Sequence, residues 1–201
     1  MAQQRRDFNM HKGKVYKMVA VSMLSSIAYV LQLLDFPFPG LPAFLQIDFS
    51  EVPALLAAIV FGPLAGLAVE GIKNVLHYGI VGNMTGVPVG EMANFIAGTI
   101  FIVPVSYFYR KHRSTKSLSA GLIVGTVMMT LMMALLNYVL ILPAYTWFLN
   151  SPQMSGEAML NLILVGIAPF NVIKGMIITI LFVILYSRLQ PWLNKQYQHS
   201  S

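Results

Sequence analysis

The sequence predicts an all-α integral membrane protein with six transmembrane helices and with both termini in the cytoplasm. Hydrophobic residues make up 57% of the 201 positions and charged residues only 10%, whereas an ordinary soluble domain carries about 25% charged residues. Long apolar runs divide the chain, and eleven of the 13 Lys and Arg residues lie in three polar stretches that flank those runs. Composition, apolar runs and charge placement together predict this fold class.

Four segments contain the ~20 apolar residues that a helix needs to cross ~30 Å of hydrocarbon: 15–34, 91–109, 118–148 and 159–187. The last two are longer than a bilayer requires and contain Pro143 and Pro169. Because proline disrupts the helical hydrogen-bond ladder, we expect kinks, tilt or projecting ends in these two helices.

The region 51–78 is either one long helix or two short ones, 51–61 and 64–78. The dipeptide Gly62-Pro63 favours two, since it opposes a continuous helix. Charge supports the same choice, because short loops rich in Lys and Arg stay in the cytoplasm. The basic cluster at 110–113 is cytoplasmic only if 51–78 crosses twice. Residues 1–201 are therefore predicted to form a single transmembrane domain, with helices 2 and 3 short.

Several function classes are disfavoured by composition. The sequence pI near 9.6 does not indicate nucleic-acid binding, since the positive charge flanks apolar runs instead of lining a polar face. The absence of cysteine removes thiolate nucleophiles and Cys-based metal sites. Nucleotide-hydrolysing, serine-hydrolase and zinc-protease motifs are also missing. We expect no enzyme, no catalytic residue, no catalytic cofactor and no metal site.

Polar side chains are concentrated in the outer half of the predicted bundle. The inner half contains almost none, so the pattern indicates a cup that opens to the outside and is closed toward the cell. A channel would need polar lining throughout. The candidates are Lys73, Asn74, Glu91, Asn94, Asn137, Asn171 and Lys174.

Some of these residues have simpler explanations. A membrane asparagine often forms an interhelical hydrogen bond worth ~0.6 kcal/mol, and Glu70 with Lys73 fits a local pair. Lys174 is harder to dismiss, since isolated burial of a lysine costs at least ~2.5 kcal/mol. It needs an anionic partner, for which we predict Glu91. Tyr145 fits either the interfacial aromatic belt or a wall beside a flat ligand.

Small residues at a spacing of four recur along the predicted helices. Such stripes let helices pack closely. The pairs Ala54/Ala58 and Gly121/Gly125 are expected to be internal contacts. The stripe on the first helix, which consists of Ser22 and Ser26 with Ala20 and Ala28, could instead serve a partner protein.

Four short segments, in this order along the chain, resemble the substrate-specific S components of energy-coupling factor (ECF) transporters, and most of all the riboflavin-binding members. The segments are Asp-Phe-Ser-Glu-Val-Pro at 48–53, Phe-Gly-Pro-Leu-Ala-Gly at 61–66, Lys73-Asn74, and Gly-Glu-Met-Ala-Asn-Phe at 90–95. Each is weakly specific alone, but the ordered set is strongly specific, and the resemblance covers nearly the whole chain.

The resemblance implies a six-helix protein of the bacterial cell membrane that binds a vitamin with high affinity in an outward-facing pocket. It also implies docking on a transmembrane T component that carries two cytoplasmic ATPases. In related S components an Ala-x-x-x-Ala stripe on helix one contacts this module. Here Ser22/Ser26 with Ala20 and Ala28 is the nearest equivalent.

Riboflavin suits the candidate residues. Asn137 and Asn171 offer donors and acceptors for the urea-like edge of the flavin ring, and Lys174 can donate to a ring carbonyl. The hydroxyl chain is assigned to Glu91, Asn94 and Asn74, and the apolar walls to the 41–47 loop and to helix two. The complete set is Asn137, Asn171, Lys174, Glu91, Asn94, Asn74, Lys73, Leu41, Phe44 and Tyr145. Thiamine or biotin binding, a stand-alone facilitator and a membrane enzyme are the alternatives.

Overall fold

The computed structural model describes residues 2–42, 44–82, 86–149 and 154–198, and the side chains of 2–12 and 192–198 lie outside that description. The described chain contains six helices, one short hairpin and little other regular structure. The helices are α1 (Ala2–Gln32), α2 (Glu51–Phe61), α3 (Pro63–Val81), α4 (Val89–His112), α5 (Thr115–Phe148) and α6 (156–198). In the loop after α1, strand β1 (Phe36–Pro37) pairs antiparallel with β2 (Gln46–Ile47). The all-α prediction is confirmed.

Four of the helical segments are long and apolar enough to cross a membrane: Gly13–Gln32, Val89–His112, Thr115–Phe148 and Gly156–Pro191. Most of their large exposed side chains are apolar, as on Met18, Met23 and Leu131. Lipid is as apolar as these side chains, so a surface of this kind suits a bilayer.

The break between α2 and α3 lies at the predicted dipeptide. Gly62 has φ 104°, which a residue with a Cβ rarely adopts, and Pro63 is the first residue of α3. Helix α2 matches the predicted 51–61. Helix α3 continues to Val81, three residues beyond the prediction, and its 19 residues extend about 28 Å. The prediction that α3 is short was therefore wrong.

Both of the last two helices contain a π-helical segment before a proline. Asn137–Ile141 precedes Pro143 in α5, and Leu162–Ile167 precedes Pro169 in α6. A proline ring clashes with the carbonyl four residues earlier and lacks an N–H, so a wider turn relieves the conflict. The irregularity expected at both prolines is present in this form.

The small-residue pairs on α2 and α5 lie inside the bundle, as predicted. A Cβ on Gly125 would lie 2.7 Å from the carbonyl oxygen of Phe101, and one on Gly121 would lie 2.9 Å from the Cα of Val105. The backbones of α4 and α5 therefore approach too closely for any larger residue at these positions. Ala54 and Ala58 of α2 are fully buried.

The two ends of the bundle differ in charge. Short connections make consecutive helices antiparallel, so the α2–α3 junction and the basic α4–α5 loop lie at one end. Accordingly, the guanidinium of Arg110 lies 3.5 Å from the position of a Cβ on Gly62. The β hairpin, the C-terminal ends of α1 and α3, and the N-terminal end of α4 lie at the other end.

Candidate functional site

A cavity of about 1080 Å³ lies at the end of the bundle opposite the basic loop. Its wall is built from the loop after α1 and from α1, α3, α4, α5 and α6. Pockets for small ligands span ~300–1,000 Å³, so this space can hold one of vitamin size. Both polar and apolar groups line it, as ligand sites require.

Seven of the ten residues predicted to bind a ligand line the cavity: Phe44, Glu91, Asn94, Asn137, Tyr145, Asn171 and Lys174. Three lie outside its wall. Leu41 packs on the apolar cluster around Leu45 and Ile47, because the hairpin turns it inward. Asn74 lies behind the wall, and Lys73 is fully buried among carboxylates. These three side chains do not line the cavity, and their contact with a ligand stays a prediction.

The two amides on α5 and α6 are held by their own helices. Asn137 Nδ2 donates to the carbonyl of Met133, and Asn171 Nδ2 donates to the carbonyl of Ile167, both at 2.8 Å. Each bond orients the amide and uses one N–H, so the second N–H and the carbonyl oxygen are not engaged by it. Asn137 begins one π segment and Ile167 ends the other, which places irregular backbone at the cavity wall.

Lys174 has two anionic partners, and neither is Glu91. Its Nζ lies 2.8 Å from Glu51 Oε1 and 3.2 Å from Asp48 Oδ2. The prediction of Glu91 was wrong because the chain before α2 folds inward and carries Asp48 and Glu51 to α6. Glu91 instead pairs with His77, whose Nδ1 lies 3.2 Å from its Oε1.

The pair between Lys174 and Glu51 belongs to a larger buried charge cluster. Lys73 Nζ lies 2.9 Å from Glu70 Oε2, the predicted local pair, and 3.8 Å from Glu51 Oε1. Glu51 therefore bridges the two lysines of α3 and α6. Every member of the cluster is buried, so each charge depends on the others for compensation.

Ser50 connects the loop to the charge cluster. Lys73 donates to the Ser50 hydroxyl, and this hydroxyl and the Ser50 N–H both donate to Asp48 Oδ1. Burial raises the pKa of Asp48, but the nearby Lys174 and Lys73 and the bonds from Ser50 outweigh it, and the pKa lies well below its usual value. Asp35, by contrast, has its pKa raised by burial and by the charge of Asp48.

A row of three amides crosses from α1 to α4 beside the cavity. Gln32 Nε2 donates to Asn74 Oδ1 at 3.2 Å, and Asn74 Nδ2 reaches Asn94 Oδ1 at 3.4 Å. Asn74 Nδ2 also donates to the carbonyl of Glu70 at 2.8 Å. Asn74 therefore positions two residues of the cavity wall, although it does not line the wall itself.

Several polar residues of the wall were not predicted from the sequence. Asp35, Asp48 and His77 lie near helix ends, where a charged or polar side chain is ordinarily exposed to solvent. Asp48 had a usable signal, since it opens one of the four resembling segments. The missed polar residues are Gln32, Asp35, Gln46, Asp48, His77 and Thr146.

The predicted docking stripe on α1 is only partly on the surface. Ser22 and Ser26 are exposed, and the Ser26 hydroxyl donates to the carbonyl of Ser22 at 3.1 Å. Ala20 is half-buried. Ala28 is fully buried in the core, so its assignment to a docking surface was wrong. At 3.6 residues per turn, Ala28 lies on a different face from Ser22 and Ser26.

Among the described residues, no three His, Cys, Asp or Glu side chains are grouped to hold a metal ion. The charges around Lys174 are instead arranged as ion pairs between side chains. The site is thus a preformed space with amides, one lysine, one histidine, three carboxylates and aromatic groups on its wall, an arrangement suited to binding and orienting a small molecule.

Comparison with known proteins agrees with this geometry. Residues 16–186 match the family model of the ECF transporter, substrate-specific component. The chain is 58% identical over 183 residues to the riboflavin transporter FmnP of Bacillus subtilis (strain 168), covering 91% of this chain and 96% of the relative. It is 44% identical over 192 residues to the riboflavin transporter RibU of Staphylococcus aureus (strain TCH60), covering 95% and 98%.

A solved structure is also similar. Its description reads "Structure and mechanism of the S component of a bacterial ECF transporter", and it superimposes with a TM-score of 0.77 at 44% identity, covering 90% of this chain and 98% of that one. The matched relatives are transporters, not enzymes. Together with the four apolar helices, they place the chain in a bacterial cell membrane as a multi-pass protein.

Proposed function

The chain belongs to the family of substrate-specific components of ECF transporters, and from this we propose that it is the riboflavin-binding subunit of an ATP-driven vitamin importer. Its role is to capture riboflavin with high affinity and to present it to a separate energising module. The two relatives described above, at 58% and 44% identity, are riboflavin transporters, which supports this choice of ligand over thiamine and biotin.

The observation that carries the proposal is the group of Asn137, Asn171 and Lys174 on the cavity wall. The flavin ring has a flat apolar body and one edge of alternating N–H and carbonyl groups. Two amides, each with an N–H and an oxygen outside its helix bond, match that edge, and the Lys174 ammonium can donate to a carbonyl. Tyr145 and Phe44, with ring centroids 5.9 Å apart, offer apolar surface to the ring.

The orientation of the cavity follows from charge. The cytoplasmic side carries the loops rich in Lys and Arg, and the cavity lies at the opposite end. We therefore assign six membrane crossings with both termini in the cytoplasm and a cavity that receives riboflavin from outside. Helix α2 has 11 residues, too few to span ~30 Å alone, so it relies on packing against its neighbours.

The partner assignment rests on the family and on what the sequence lacks. Without a phosphate-binding loop, the chain has no such route to nucleotide hydrolysis, so uphill import needs ATPases on other chains. We assign docking on a transmembrane T component with two cytoplasmic ATPases to the exposed face of α1 around Ser22 and Ser26. Their small side chains permit close approach by another membrane helix.

Fluorescence quenching of riboflavin by the purified protein tests the proposed ligand. Replacing Asn171 by Ala removes one amide from the wall, and we expect riboflavin affinity to fall about tenfold or more, since the ring would lose a buried partner. Asn161→Ala is the matched control, because Asn161 is an exposed residue at the start of the same helix. Equal affinities of wild type and Asn171→Ala would exclude this pocket.

Reconstitution into vesicles separates the subunit from a stand-alone facilitator. We expect the protein alone to bind riboflavin without accumulating it, and to support ATP-dependent uptake only when the energising module is added. Riboflavin transport by the isolated chain would contradict the proposal. Competition by thiamine or biotin at similar concentrations would contradict the choice of riboflavin.

A further inference from the structure

Gln32, the last residue of α1, has a buried acceptor at the cavity. The side chain lines the cavity and is 5% exposed. Its Nε2 is occupied by Asn74, but its Oε1 is buried and has no hydrogen-bond partner among the described residues. A buried oxygen without a donor is unfavourable and rare in native proteins, so its presence at a ligand-binding wall indicates a missing donor.

The orientation of this amide follows from its neighbour. Asn74 Nδ2 already faces the carbonyl of Glu70 at 2.8 Å and Asn94 Oδ1 at 3.4 Å. Only the side-chain oxygen of Asn74 therefore remains to interact with Gln32, and Gln32 must donate an N–H to it. Turning the Gln32 amide over would place two oxygens together. The acceptor role of Gln32 Oε1 is thus set by a chain of hydrogen bonds through α3 to α4.

The position of Gln32 indicates which part of a ligand supplies the donor. Asn137, Asn171 and Lys174 lie on α5 and α6, whereas Gln32 belongs to the wall formed by α1, α3 and α4. Its polar neighbours on that wall are Asn94, and the pair of His77 and Glu91. In riboflavin the hydroxyl-bearing chain leaves N10 of the central ring, beside the carbonyl edge. A flavin whose ring edge faces α5 and α6 can therefore extend this chain along the cavity to the wall formed by α1, α3 and α4.

We propose that Gln32 Oε1 accepts a hydrogen bond from a hydroxyl of the flavin side chain, and that Gln32 thereby selects flavins with a polyol chain over flavins without one. The inference rests on the proposed riboflavin-binding function. In this arrangement Gln32 is a specificity-determining residue that contacts the ligand. Asn74 is a positioning residue, which acts by holding the Gln32 amide in the accepting orientation.

The test compares riboflavin with lumiflavin, which has the same ring but a methyl group in place of the polyol. Gln32→Met keeps the length of the side chain and removes the amide. We expect its Kd for riboflavin to rise about tenfold, as for loss of one buried hydrogen bond, while its Kd for lumiflavin stays within twofold of wild type. Gln190→Met is the matched control, since Gln190 lies near the opposite end of α6, outside the cavity wall.

The ratio of the riboflavin Kd to the lumiflavin Kd distinguishes a ligand contact by Gln32 from a purely structural role. A merely structural role for Gln32 would weaken both ligands alike, and this result or an unchanged ratio would overturn the inference. If Gln32→Met does not fold, Gln32→Asn withdraws the amide by one carbon and must likewise raise the ratio of the riboflavin Kd to the lumiflavin Kd. A wild type that binds neither flavin would instead overturn the proposed function.

Discussion

Lys174 Nζ lies 2.8 Å from Glu51 Oε1 and so joins α6 to the first residue of α2. The same ammonium lies 3.2 Å from Asp48 at the end of the hairpin loop. One lysine of the cavity wall therefore connects two helices and the loop beside the cavity. Under the proposed function this residue serves both ligand binding and folding, so substitutions here should change both properties.

Lys174→Ala should destabilise the protein as well as weaken riboflavin binding. It leaves the carboxylates of Asp48 and Glu51 buried without their common cation, and breaking a buried ion pair from one side costs about 3–5 kcal/mol. Thermal unfolding in detergent should show a lower midpoint without ligand, and quenching should show affinity weakened more than tenfold. Lys116→Ala, at an exposed lysine of α5, should change neither. An unchanged midpoint for Lys174→Ala would contradict the charge cluster.

Asp48→Asn should reduce stability at neutral pH, and the reduction should shrink in acid. The pKa of Asp48 is lowered in the folded protein, so the folded state favours the carboxylate. That stabilisation is complete above the unfolded pKa of ~3.9 and is lost as pH falls toward the lower folded value. Unfolding midpoints of wild type and Asp48→Asn, measured between about pH 7 and pH 3, should differ by a constant amount at neutral pH and begin to approach each other below about pH 4.

The matched control for this pH dependence is Glu157→Gln at the exposed start of α6. It should track the wild type at every pH, because that carboxylate has solvent around it. A difference between wild type and Asp48→Asn that stays constant from neutral to acid pH would show that the charge of Asp48 does not contribute to stability.

Gly125→Ala should destabilise the α4–α5 contact. The new Cβ would lie 2.7 Å from the carbonyl oxygen of Phe101, and backbone must move to accept it, at a cost of about 1–3 kcal/mol. Gly79→Ala on α3 makes the same chemical change where nothing lies within 4 Å, and should be neutral or slightly stabilising. Equal unfolding midpoints for the two variants would show that the helices are not packed this closely.

Ser22→Trp should block docking while leaving riboflavin binding intact. Ser22 is exposed on α1, so a bulky ring there projects from the surface and would obstruct a closely packed partner helix. Co-purification with the T component and ATPases should fall sharply, with riboflavin affinity within twofold of wild type. Leu131→Trp, on an exposed position of α5, should still assemble. Normal assembly of Ser22→Trp would move the docking surface elsewhere.

Much of the helix arrangement is local in origin and could be predicted. Gly62-Pro63 interrupts the helix because of backbone geometry that these two residues impose by themselves. Asn137, Asn171 and Lys174 were identified because polar groups are costly within apolar helices. The irregular turns before Pro143 and Pro169 likewise follow from the chemistry of proline.

The partners of the buried charges could not be predicted in the same way. Lys174 and Asp48 are 126 residues apart, and their contact depends on the loop before α2 turning into the bundle. No hydrophobic periodicity in the sequence indicates such a turn. Gln32 was missed for a related reason, since a glutamine at a helix end has an ordinary role in solvent. What distinguishes Gln32 from such a residue is its hydrogen bond to Asn74, which the sequence does not show.

Titration of riboflavin with the purified wild-type protein shows whether the chain is a riboflavin-binding subunit. We expect saturating fluorescence quenching at one flavin per chain, and a bound flavin spectrum that persists through gel filtration. A folded, colourless protein whose addition leaves riboflavin fluorescence unchanged would contradict this expectation.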